Sequence, residues 1–537
     1  MTGNRASSRV VVIGAGIGGL TAAALLAHRG YPVLVLDQAI IPGGCASTFK
    51  RQGFTFDVGA TQVAGLEPGG IHHRIFSELE IDLPAATPCD PACAVYLPGE
   101  TEPINVWRDP QRWQVERQQQ FPGSEPFWKL LSDLFHASWA FQSRDPVLPP
   151  RNLWDLWQLT QAVRPDTLMT LPHTFSTVGD ALRGYRLTND RRLKTFLDMQ
   201  LKLYSQVDAE ETALLYAATA LNVAQEPQGL SHLHGSMQAL SDRLVASLKR
   251  DGGQLLMRHR VEHIHTETGK AVSIRIRNQR TGETWVEPAD HVIANVTVQN
   301  LVQLLGDQTP EGYRHRVEKL PPAAGAFVVY LGVDQRALPA NCPPHLQFLY
   351  DYDGPIGENN SLFVSVSQPG DGRAPVGNAT IIASSFTDVA MWWRDQDGEE
   401  GMGYEVPGAE VRADKSVRGA RYPIASPQYP APTTYSALKQ HYTDEAIARL
   451  SQFFNLNPET LLHVEAATPR TFARFTGRDR GIVGGIGQRI PTFGPFGFAN
   501  RTPVQNLWLV GDSTHPGEGT AGVSYSALTV ARQIEAG

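Results

Sequence analysis

Cysteine is scarce in this sequence: its 537 residues include only four, which are Cys45, Cys89, Cys93 and Cys342. So few and so scattered, they do not make the disulfide framework of a secreted protein, and they favour a reducing compartment. Two of them, in Cys89-Asp-Pro-Ala-Cys93, are half of a possible metal site, but no second pair completes it. We therefore predict structural thiols and no bound metal.

Long apolar runs and long runs of like charge are also missing. No stretch of about 18 apolar residues is present, so we predict no membrane span, and residues 1–9 lack the apolar core of a secretory signal. The net charge of −7 is spread along the chain and gives no reason to expect nucleic acid. With 42% hydrophobic and 19% charged residues, the composition is that of a globular protein. Its length predicts about two to four domain-sized units.

Residues 10–37 carry a clear pattern of strand, tight turn, helix and strand. The apolar run Val10–Ile13 predicts a buried parallel strand. In the turn that follows, Gly14 permits the tight bend, Gly16 lets a diphosphate approach the backbone, and Gly19 lets the helix lie close to the strand. Asp37 ends the second strand, where its carboxylate can accept from ribose hydroxyls. The alternative is a chance turn in a chain with 49 glycines, and the motif alone does not say which dinucleotide binds.

A second glycine-rich stretch, residues 41–62, follows directly. Gly43 and Gly44 allow the backbone to turn hard against a ligand, where a Cβ would occupy the space. The alternating residues 54–58 predict a strand that ends at Gly59. Its position favours a second cofactor contact over an ordinary glycine loop and hairpin.

The C-terminal residues 506–532 are typical of a strand, a Gly511-Asp512 turn, a glycine-rich loop and a closing helix that begins near Gly522. A flavoprotein needs this second element, since Asp512 can accept from ribityl hydroxyls and the positive helix end can face the pyrimidine edge of the ring. Two glycine elements nearly 500 residues apart would then converge on one elongated ligand, and FAD has that length. The predicted FAD contacts are Gly14, Gly16, Gly19, Asp37, Gly43, Gly44, Gly59, Val261, Gly511, Asp512, Gly522 and Val523.

The middle of the chain differs in character. Residues 79–225 hold six of the ten tryptophans and show helical periodicity, which predicts a mainly helical insert. Its aromatic residues either suit a large apolar ligand or fill the insert's own core. Within it, residues 148–164 predict a short helix between two arginines, with one side formed by Leu153, Trp154, Trp157 and Val163. That helix either lies at a bilayer surface or packs on its own domain.

Strands are predicted after this insert, at residues 255–264, 271–278 and 291–295, and the last of these returns to the nucleotide-binding sheet. The first would place three histidines on one face, which we interpret as a polar face rather than a metal site: His259, His263 and His265. Alternating segments between residues 321 and 465 predict an antiparallel sheet that could floor a substrate site. The segment Asp395–Pro432, rich in Gly, Pro and charge, predicts a mobile loop or lid.

These motifs together resemble the bacterial-type carotenoid desaturases, related to phytoene desaturase and carotene isomerase. The resemblance runs from about residue 9 to the end. It rests on the spacing of Gly14-x-Gly16-x-x-Gly19, Pro42-Gly-Gly44, Phe56-Asp-Val-Gly59, Gly484-Gly485 and Leu509-Val-Gly-Asp512 to Gly522. Residues 54–70 and 512–525 look most like the cyanobacterial carotenoid 3',4'-desaturases. Two departures are Cys45, where many members carry arginine, and the length of the insertion at 395–432.

The resemblance implies an α/β fold: a Rossmann-type FAD-binding domain of the amine-oxidase-like kind, an inserted α+β substrate domain and a helical membrane-associating region. The boundaries are residues 1–80, 226–300 and 476–537 for the discontinuous FAD-binding domain, 81–225 for the mainly helical substrate and membrane-associating region, and 301–475 for the antiparallel-sheet substrate domain. It further implies FAD, a carotenoid substrate, an electron acceptor such as quinone or oxygen, and a cytoplasmic protein attached peripherally to a membrane surface.

The implied reaction is desaturation of a carotenoid at the C-3',4' bond, with loss of a proton and of a hydride that flavin N5 can accept. Three alternatives stay open: a polyene isomerase, a ketolase, and a flavin-binding carotenoid carrier without turnover. No Asp, Glu or His stands out by spacing as a base, so we assign no catalytic residue. His515 and Tyr525 lie nearest to the predicted flavin loop, and we interpret them as braces for that loop.

Overall fold

The computed structural model describes residues 8–394 and 434–537, so the predicted mobile segment Asp395–Pro432 lies outside the described residues. Within them the α-helices are α1 (Ile17–His28), α2 (Ile71–Glu78), α3 (Pro110–Gln120), α4 (Glu125–Gln142), α5 (Leu153–Ala162), α6 (Pro165–Leu168), α7 (Val178–Gly184), α8 (Arg191–Ser205), α9 (Leu214–Asn222), α10 (Gln238–Arg250), α11 (Val298–Leu305), α12 (Glu311–Glu318), α13 (Tyr435–Leu450), α14 (Pro469–Thr476) and α15 (Thr520–Ala536). The strands are β1 (Val10–Ile13), β2 (Val33–Asp37), β3 (Thr48–Arg51), β4 (Phe54–Asp57), β5 (Ala86–Pro88), β6 (Cys93–Tyr96), β7 (Ile104–Val106), β8 (Ser231–Leu233), β9 (Gln254–Met257), β10 (His259–Glu267), β11 (Lys270–Asn278), β12 (Thr284–Pro288), β13 (His291–Ala294), β14 (Gly325–Asp334), β15 (His345–Leu349), β16 (Ser361–Val366), β17 (Asn378–Thr387), β18 (Leu461–Ala467) and β19 (Leu507–Leu509).

A five-stranded parallel sheet joins the two ends of the chain. Its strand order is β19-β13-β1-β2-β9, and each neighbouring pair is parallel. Strand β1 is buried at all its positions, as its β-branched run predicts for a sheet covered on both faces. The prediction that the chain returns to this sheet near residue 291 is confirmed, because β13 pairs with β1.

Helix α1 packs against this sheet and fixes the position of the last helix. It is buried over almost its whole length and contacts both α10 and α15. The contact with α15 is close near both N-termini, since a Cβ on Gly18 would lie 3.3 Å from the carbonyl oxygen of Val523. The glycine loop and the C-terminal helix are therefore held side by side.

The predicted strand at residues 255–264 is wrong in one respect. The chain there forms two strands in different sheets: β9 is the edge of the parallel sheet, and β10 pairs antiparallel with β11. Arg258 lies between them in the left-handed region, with a φ of 62°, and this conformation turns the backbone from one sheet to the other. Residues 254–264 contain no glycine or proline that would mark this turn, so the sequence alone merges the two strands.

A seven-stranded mixed sheet, ordered β18-β14-β17-β16-β15-β6-β7, forms the second layer. Strands β14, β16 and β17 pair antiparallel, as their alternating sequences predict. Strands β6 and β7 come from the range predicted to be mainly helical, yet they extend this sheet through the parallel pair β15–β6. The helices of that range, α3 to α9, therefore follow in the chain directly after the edge strand β7 of this sheet.

The aromatic residues of the helical range mostly pack against one another. Trp113, Trp128, Phe121, Phe127 and Phe196 are buried in one cluster, with ring centroids 5.1 to 6.4 Å apart. Of the two alternatives for these rings, core filling is the one that the structure shows.

A fully buried ion pair ties the β3–β4 hairpin to the β16–β17 connection of the seven-stranded sheet. Arg373, in the connection between β16 and β17, donates to the Asp57 carboxylate at the end of β4 and, at 3.0 Å, to the carbonyl of Leu233. Asp57 also accepts from the backbone N–H of Met237, just before α10, and from the hydroxyl of Thr48. Because neither charge reaches water, each needs the other and these hydrogen bonds.

We expect Arg373→Leu to lower the free energy of unfolding by about 3 to 5 kcal/mol, because it leaves the Asp57 carboxylate buried without a cation. Urea denaturation followed by circular dichroism measures the loss. Adding Asp57→Asn should recover part of it. The control Arg336→Leu removes a pair whose arginine is largely exposed, and should lower the stability far less, because water screens that pair. Equal losses in the two single variants would show that burial is not the cause.

Candidate functional site

The first glycine loop has the geometry that a diphosphate needs. Gly14 adopts a φ of +98°, and a Cβ there would lie 2.7 Å from the carbonyl oxygen of Asn295. At Gly19 a Cβ would overlap the carbonyl oxygen of Gly14. Gly16 is the N-cap of α1 and has no side-chain cap. The first N–H groups of the helix are therefore left to bind an anion.

The second glycine stretch packs directly on the first. The N–H of Gly43 donates to the carbonyl of Ala15 at 2.8 Å, and a Cβ on Gly44 would lie 3.3 Å from Cα of Gly16. Both glycines have positive φ, at 116° and 60°, and Gly59 lies on the same cavity. The two loops thus form one continuous wall, which is where the sequence predicts cofactor contacts.

Asp37 lies at the carboxyl end of β2, as predicted. Its two carboxylate oxygens accept from the N–H groups of Ala15, at 2.6 Å, and Ala39, at 2.7 Å. Burial raises the pKa of Asp37, and these two hydrogen bonds oppose the rise. Val261, on β10, lines the same end of the cavity. The arrangement leaves lone pairs of a fixed carboxyl group for ribose hydroxyls.

The C-terminal element reaches the same cavity beside the first glycine loop, since a Cβ on Gly18 would lie 2.9 Å from Cγ1 of Val510. Gly511, with a φ of 121°, follows β19, and Asp512, Gly519 and Val523 line the cavity. The helix predicted to begin near Gly522 begins earlier, at Thr520 with Gly519 as N-cap. Gly522 lies inside it and packs on the loop before it, because a Cβ there would be 2.6 Å from the carbonyl oxygen of Gly517.

Asn295 joins the two glycine elements, and sequence reasoning did not single it out. Its side-chain amide donates to the carbonyl of Gly14 at 3.4 Å, and its Oδ1 would lie 3.1 Å from a Cβ on Gly511. The signal that could have found it is its position directly after β13, the strand between β1 and β19. Parallel neighbours end at the same edge, so a polar residue there reaches both loops.

Arg478 is the second site residue that sequence reasoning missed. Its guanidinium bonds the Asp512 carboxylate at 2.8 Å and donates to the carbonyls of Ile482 and Gly484. Arg478 also acts on Cys45: burial raises the pKa of that thiol, Arg478 opposes the rise, and Asp512 adds to it. At the position where the sequence departs from the arginine that the resemblance implies, a cation from a distant segment, the turn after α14, therefore contributes positive charge.

One cavity of about 800 Å³ is lined by Gly14, Gly16, Asp37, Gly43, Gly44, Gly59, Val261, Asn295, Arg478, Gly511, Asp512 and Val523. Two predicted contacts, Gly19 and Gly522, do not line it and pack on protein backbone instead. The other wall belongs to the seven-stranded sheet, through Ala326 and Val328 on β14, Phe363 on β16, and Phe386 on β17. A volume of this size is in the range of cofactor and ligand sites. The dinucleotide cradle and the apolar sheet face therefore share a single cavity.

His515 and Tyr525 contact protein groups beside the C-terminal loop. Tyr525 donates its hydroxyl to the carbonyl of Pro146 at 3.0 Å, and Nε2 of His515 lies 2.9 Å from Oε1 of Gln142. Burial lowers the pKa of His515 to about 4. These contacts fit the bracing role that the sequence suggests for them.

Other candidate groups have local partners. Nδ1 of His259 lies 2.8 Å from the carbonyl of Met257, and the rings of His263 and His265 lie 4.7 Å apart. Within residues 8–394 and 434–537, no three His, Cys, Asp or Glu side chains are grouped so as to hold a metal ion. The four cysteines are free thiols.

Solved structures with this arrangement define the class of fold. Cyclohexylamine oxidase from Brevibacterium oxydans IH-35A matches with a TM-score of 0.59 at 15% identity, covering 98% of this chain and 99% of the other. Putrescine oxidase bound to putrescine matches with a TM-score of 0.60 at 13% identity, covering 99% of each chain. At these identities the likeness is one of fold, that of the FAD-binding α/β flavoproteins.

The family follows from the sequence. The model for flavin containing amine oxidoreductases matches residues 17–400, and the chain belongs to that family. Among its relatives, prolycopene isomerase 1, chloroplastic, of an Oncidium hybrid cultivar is 27% identical over 542 residues, covering 98% of this chain and 83% of the relative. The zeta-carotene-forming phytoene desaturase of Myxococcus xanthus is 25% identical over 547 residues, covering 99% and 95%. The cofactor is FAD, and the resemblance to carotenoid desaturases and isomerases is confirmed.

The residues of the cavity fit FAD: Gly16 leaves the N-terminus of α1 without a side-chain cap, and Gly14, Asp37 and Asp512 line the cavity beside it. A Cβ at Gly14, Gly16 or Gly19 would meet Asn295 or the Gly14 carbonyl, so these glycines set the shape of the loop. We expect Asp37 to hold the adenosine ribose, and Asp512 with Arg478 to hold the ribityl and diphosphate part. Bound FAD supplies a two-electron acceptor for a hydride.

Arg478→Met should weaken FAD binding by at least about tenfold, because it removes the cation that offsets both Asp512 and the cofactor's diphosphate. Fluorescence titration of the cofactor-free protein with FAD measures the dissociation constant. Arg474→Met, four residues earlier on α14, is the matched control and should leave that constant unchanged. An unchanged constant in Arg478→Met would remove this arginine from the FAD site.

Proposed function

We propose that this protein is an FAD-dependent carotenoid desaturase that acts at the C-3',4' bond. The observation that carries the proposal is the shared cavity: the predicted flavin end opens onto an apolar wall made by the seven-stranded sheet, with Phe363 and Phe386 on it. A polyene has no polar groups along its length, so such a wall can hold it by burial of apolar surface alone. The desaturases among the relatives support the same reading.

The protein's part in this chemistry is mainly to bind and to orient. Desaturation needs the reacting carbon held against the flavin while water is kept out. Water would otherwise add to the polyene carbon on which positive charge develops. Ala326, Val328 and Phe386 line the cavity without offering a nucleophile. The side chains therefore exclude water and set the position of the polyene.

Isomerisation of a carotenoid is the second candidate, and a specific observation favours it. Four of the relatives are prolycopene isomerases, at 25 to 27% identity. Isomerisation would use the same apolar wall and the same FAD site, and it would leave the mass of the substrate unchanged.

Product analysis separates these functions. Incubating the FAD-loaded protein with carotenoids in liposomes, without oxygen and with a quinone, should yield a product two mass units lighter whose absorption is shifted to the red. We expect this shift because each added C=C lengthens the conjugated system. A product of unchanged mass with altered geometry would mean isomerase, and bound pigment without conversion would mean a carrier. In a parallel incubation with oxygen, a product in which one oxygen replaces the two hydrogens of a CH2 group would mean ketolase.

We also propose that the protein docks on a lipid surface through helix α5. This short helix turns its apolar side outward: the side chains of Leu153 and Trp157 are 85% and 59% exposed. Its buried side is held by a charge, because Asp155 has no exposed surface and bonds Arg501 and the side-chain amide of Gln533. A helix anchored through its polar side leaves tryptophan and leucine for the bilayer interface.

Further exposed apolar residues continue this surface toward the cavity. Leu168, Leu171 and Phe175 follow α5 in the chain, and Phe175 is 70% exposed. The Phe175 ring packs on Phe496 at 5.6 Å, and Phe493, in the same loop, packs on Tyr216, which lines the cavity. A substrate dissolved in lipid would thus meet an apolar route. In the described residues no helix is long and apolar enough to cross a bilayer.

Leu153→Ser with Trp157→Ser should reduce binding to liposomes that contain anionic lipid by about tenfold or more, since burial of each apolar side chain contributes about 1.5 to 3 kcal/mol. Flotation with liposomes measures the bound fraction. Val286→Ser with Val376→Ser alters two exposed apolar residues elsewhere and is the control. If both double variants float like the unaltered protein, α5 is not the membrane contact.

A further inference from the structure

Glu518 is a carboxyl group enclosed in the wall of the cavity. It directly precedes Gly519, the N-cap of α15, and it lines the cavity together with Tyr204 and Tyr216. Its Oε2 accepts from the side-chain amide of Gln206 at 2.9 Å. Its Oε1 is buried and has no hydrogen-bond partner among the residues that the structure describes. Leaving a buried carboxyl oxygen without a hydrogen bond destabilises the folded protein, so the presence of this one needs an explanation.

The neighbourhood of Glu518 favours a carboxyl group that gains and loses a proton. Burial raises its pKa well above the ordinary value, Asp512 raises it further, and Gln206 and Arg478 oppose the rise. The cation Arg478 is engaged by Asp512, so it does not form a direct ion pair with Glu518 that would keep this carboxyl permanently ionised. Helix α9 also faces Glu518, and the titratable group that it places there is Tyr216.

Four other groups on the cavity are already engaged. Asp37 is fixed by two backbone N–H groups, Asp512 by Arg478, and Glu262 lies 3.6 Å from Arg275. The hydroxyl of Tyr216 donates to the carbonyl of Tyr204. Glu518 differs from these four in having a buried oxygen without a partner among the described residues, at the N-terminus of the helix expected to face the flavin ring.

We propose that Glu518 accepts the proton that a carotenoid loses on desaturation, with Gln206 as its positioning residue. This rests on the proposed function. One C–H bond of the substrate breaks with both electrons leaving as hydride to FAD. The neighbouring C–H bond breaks, its electron pair becomes the new C=C bond, and its proton passes to the Glu518 carboxylate. The substrate thus loses two hydrogen nuclei and two electrons. One nucleus and both electrons pass to FAD as hydride, and the other nucleus passes to the carboxylate as a proton.

A purely structural role is the alternative, in which a neutral carboxyl braces the loop through its bond with Gln206. Glutamine in place of Glu518 would satisfy that role, because its amide oxygen accepts the same hydrogen bond. Glutamine cannot take up a proton at ordinary pH. The substitution Glu518→Gln therefore separates the two roles.

With FAD at saturation, Glu518→Gln should convert the carotenoid about 10²- to 10⁴-fold more slowly, which is the usual contribution of a general base. Its FAD dissociation constant should equal that of the unaltered protein. Glu518→Asp should regain part of the rate, and Glu459→Gln, an exposed carboxyl far along the chain, should change nothing. A Glu518→Gln rate within about threefold of the unaltered protein would overturn the assignment while leaving the desaturase proposal intact.

The pH dependence gives a second readout. Only the ionised carboxyl accepts a proton, so the rate should rise with pH, with a midpoint above the ordinary glutamate pKa. Gln206→Leu should move the midpoint higher still, because it removes a hydrogen bond that favours the ionised form. Infrared difference spectra of the cofactor-free protein should show the protonated carboxyl band over the same pH range, and Glu518→Gln should lack it. A rate profile that persists in Glu518→Gln would contradict the proposal. An unaltered protein that converts no carotenoid would overturn the proposed function itself.

Discussion

Parallel pairing of β19, β13, β1 and β2 is the constraint on which the rest of the structure depends. Parallel neighbours end at the same edge of a sheet, so the loops after these strands meet even though the chain between them is long. Gly14, Asp37, Asn295 and Gly511 are brought together in this way. The position of each loop is set by backbone hydrogen bonds within the sheet, which leaves the loops free to be shaped by glycine and to contact a cofactor.

The charges inside the molecule fall into two kinds. Asp57 and Arg373 neutralise each other between the β3–β4 hairpin and the seven-stranded sheet, and they hold these two parts in one arrangement. Along the cavity the acidic groups differ: Asp37 is tied to backbone, Asp512 is paired with Arg478, and Glu518 keeps one oxygen without a partner among the described residues. The electrostatic character of the site therefore changes along the length of the cofactor that it is built to hold.

Much of the nucleotide-binding half could be predicted, because its glycines, its strands and Asp37 follow one another within a short stretch of chain. Asn295 and Arg478 could not, since their roles depend on which loops the folded chain brings beside them. The turn at Arg258 was missed because no glycine or proline marks it. For α5, the sequence left two possibilities, and the buried Asp155 beneath an exposed Leu153 and Trp157 supports the proposed contact with a bilayer. A helix whose apolar side faces outward has the same sequence periodicity as one whose apolar side is buried, so the pattern alone could not distinguish them.

The order of elements along the chain also bears on biosynthesis. β1, β2, β9 and β13 are translated before β19 and α15, so Gly14 and Asp37 leave the ribosome well before Gly511 and Asp512. Firm capture of FAD would then wait until β19 docks beside β13. Insertion of the cofactor would report that this late pairing has formed.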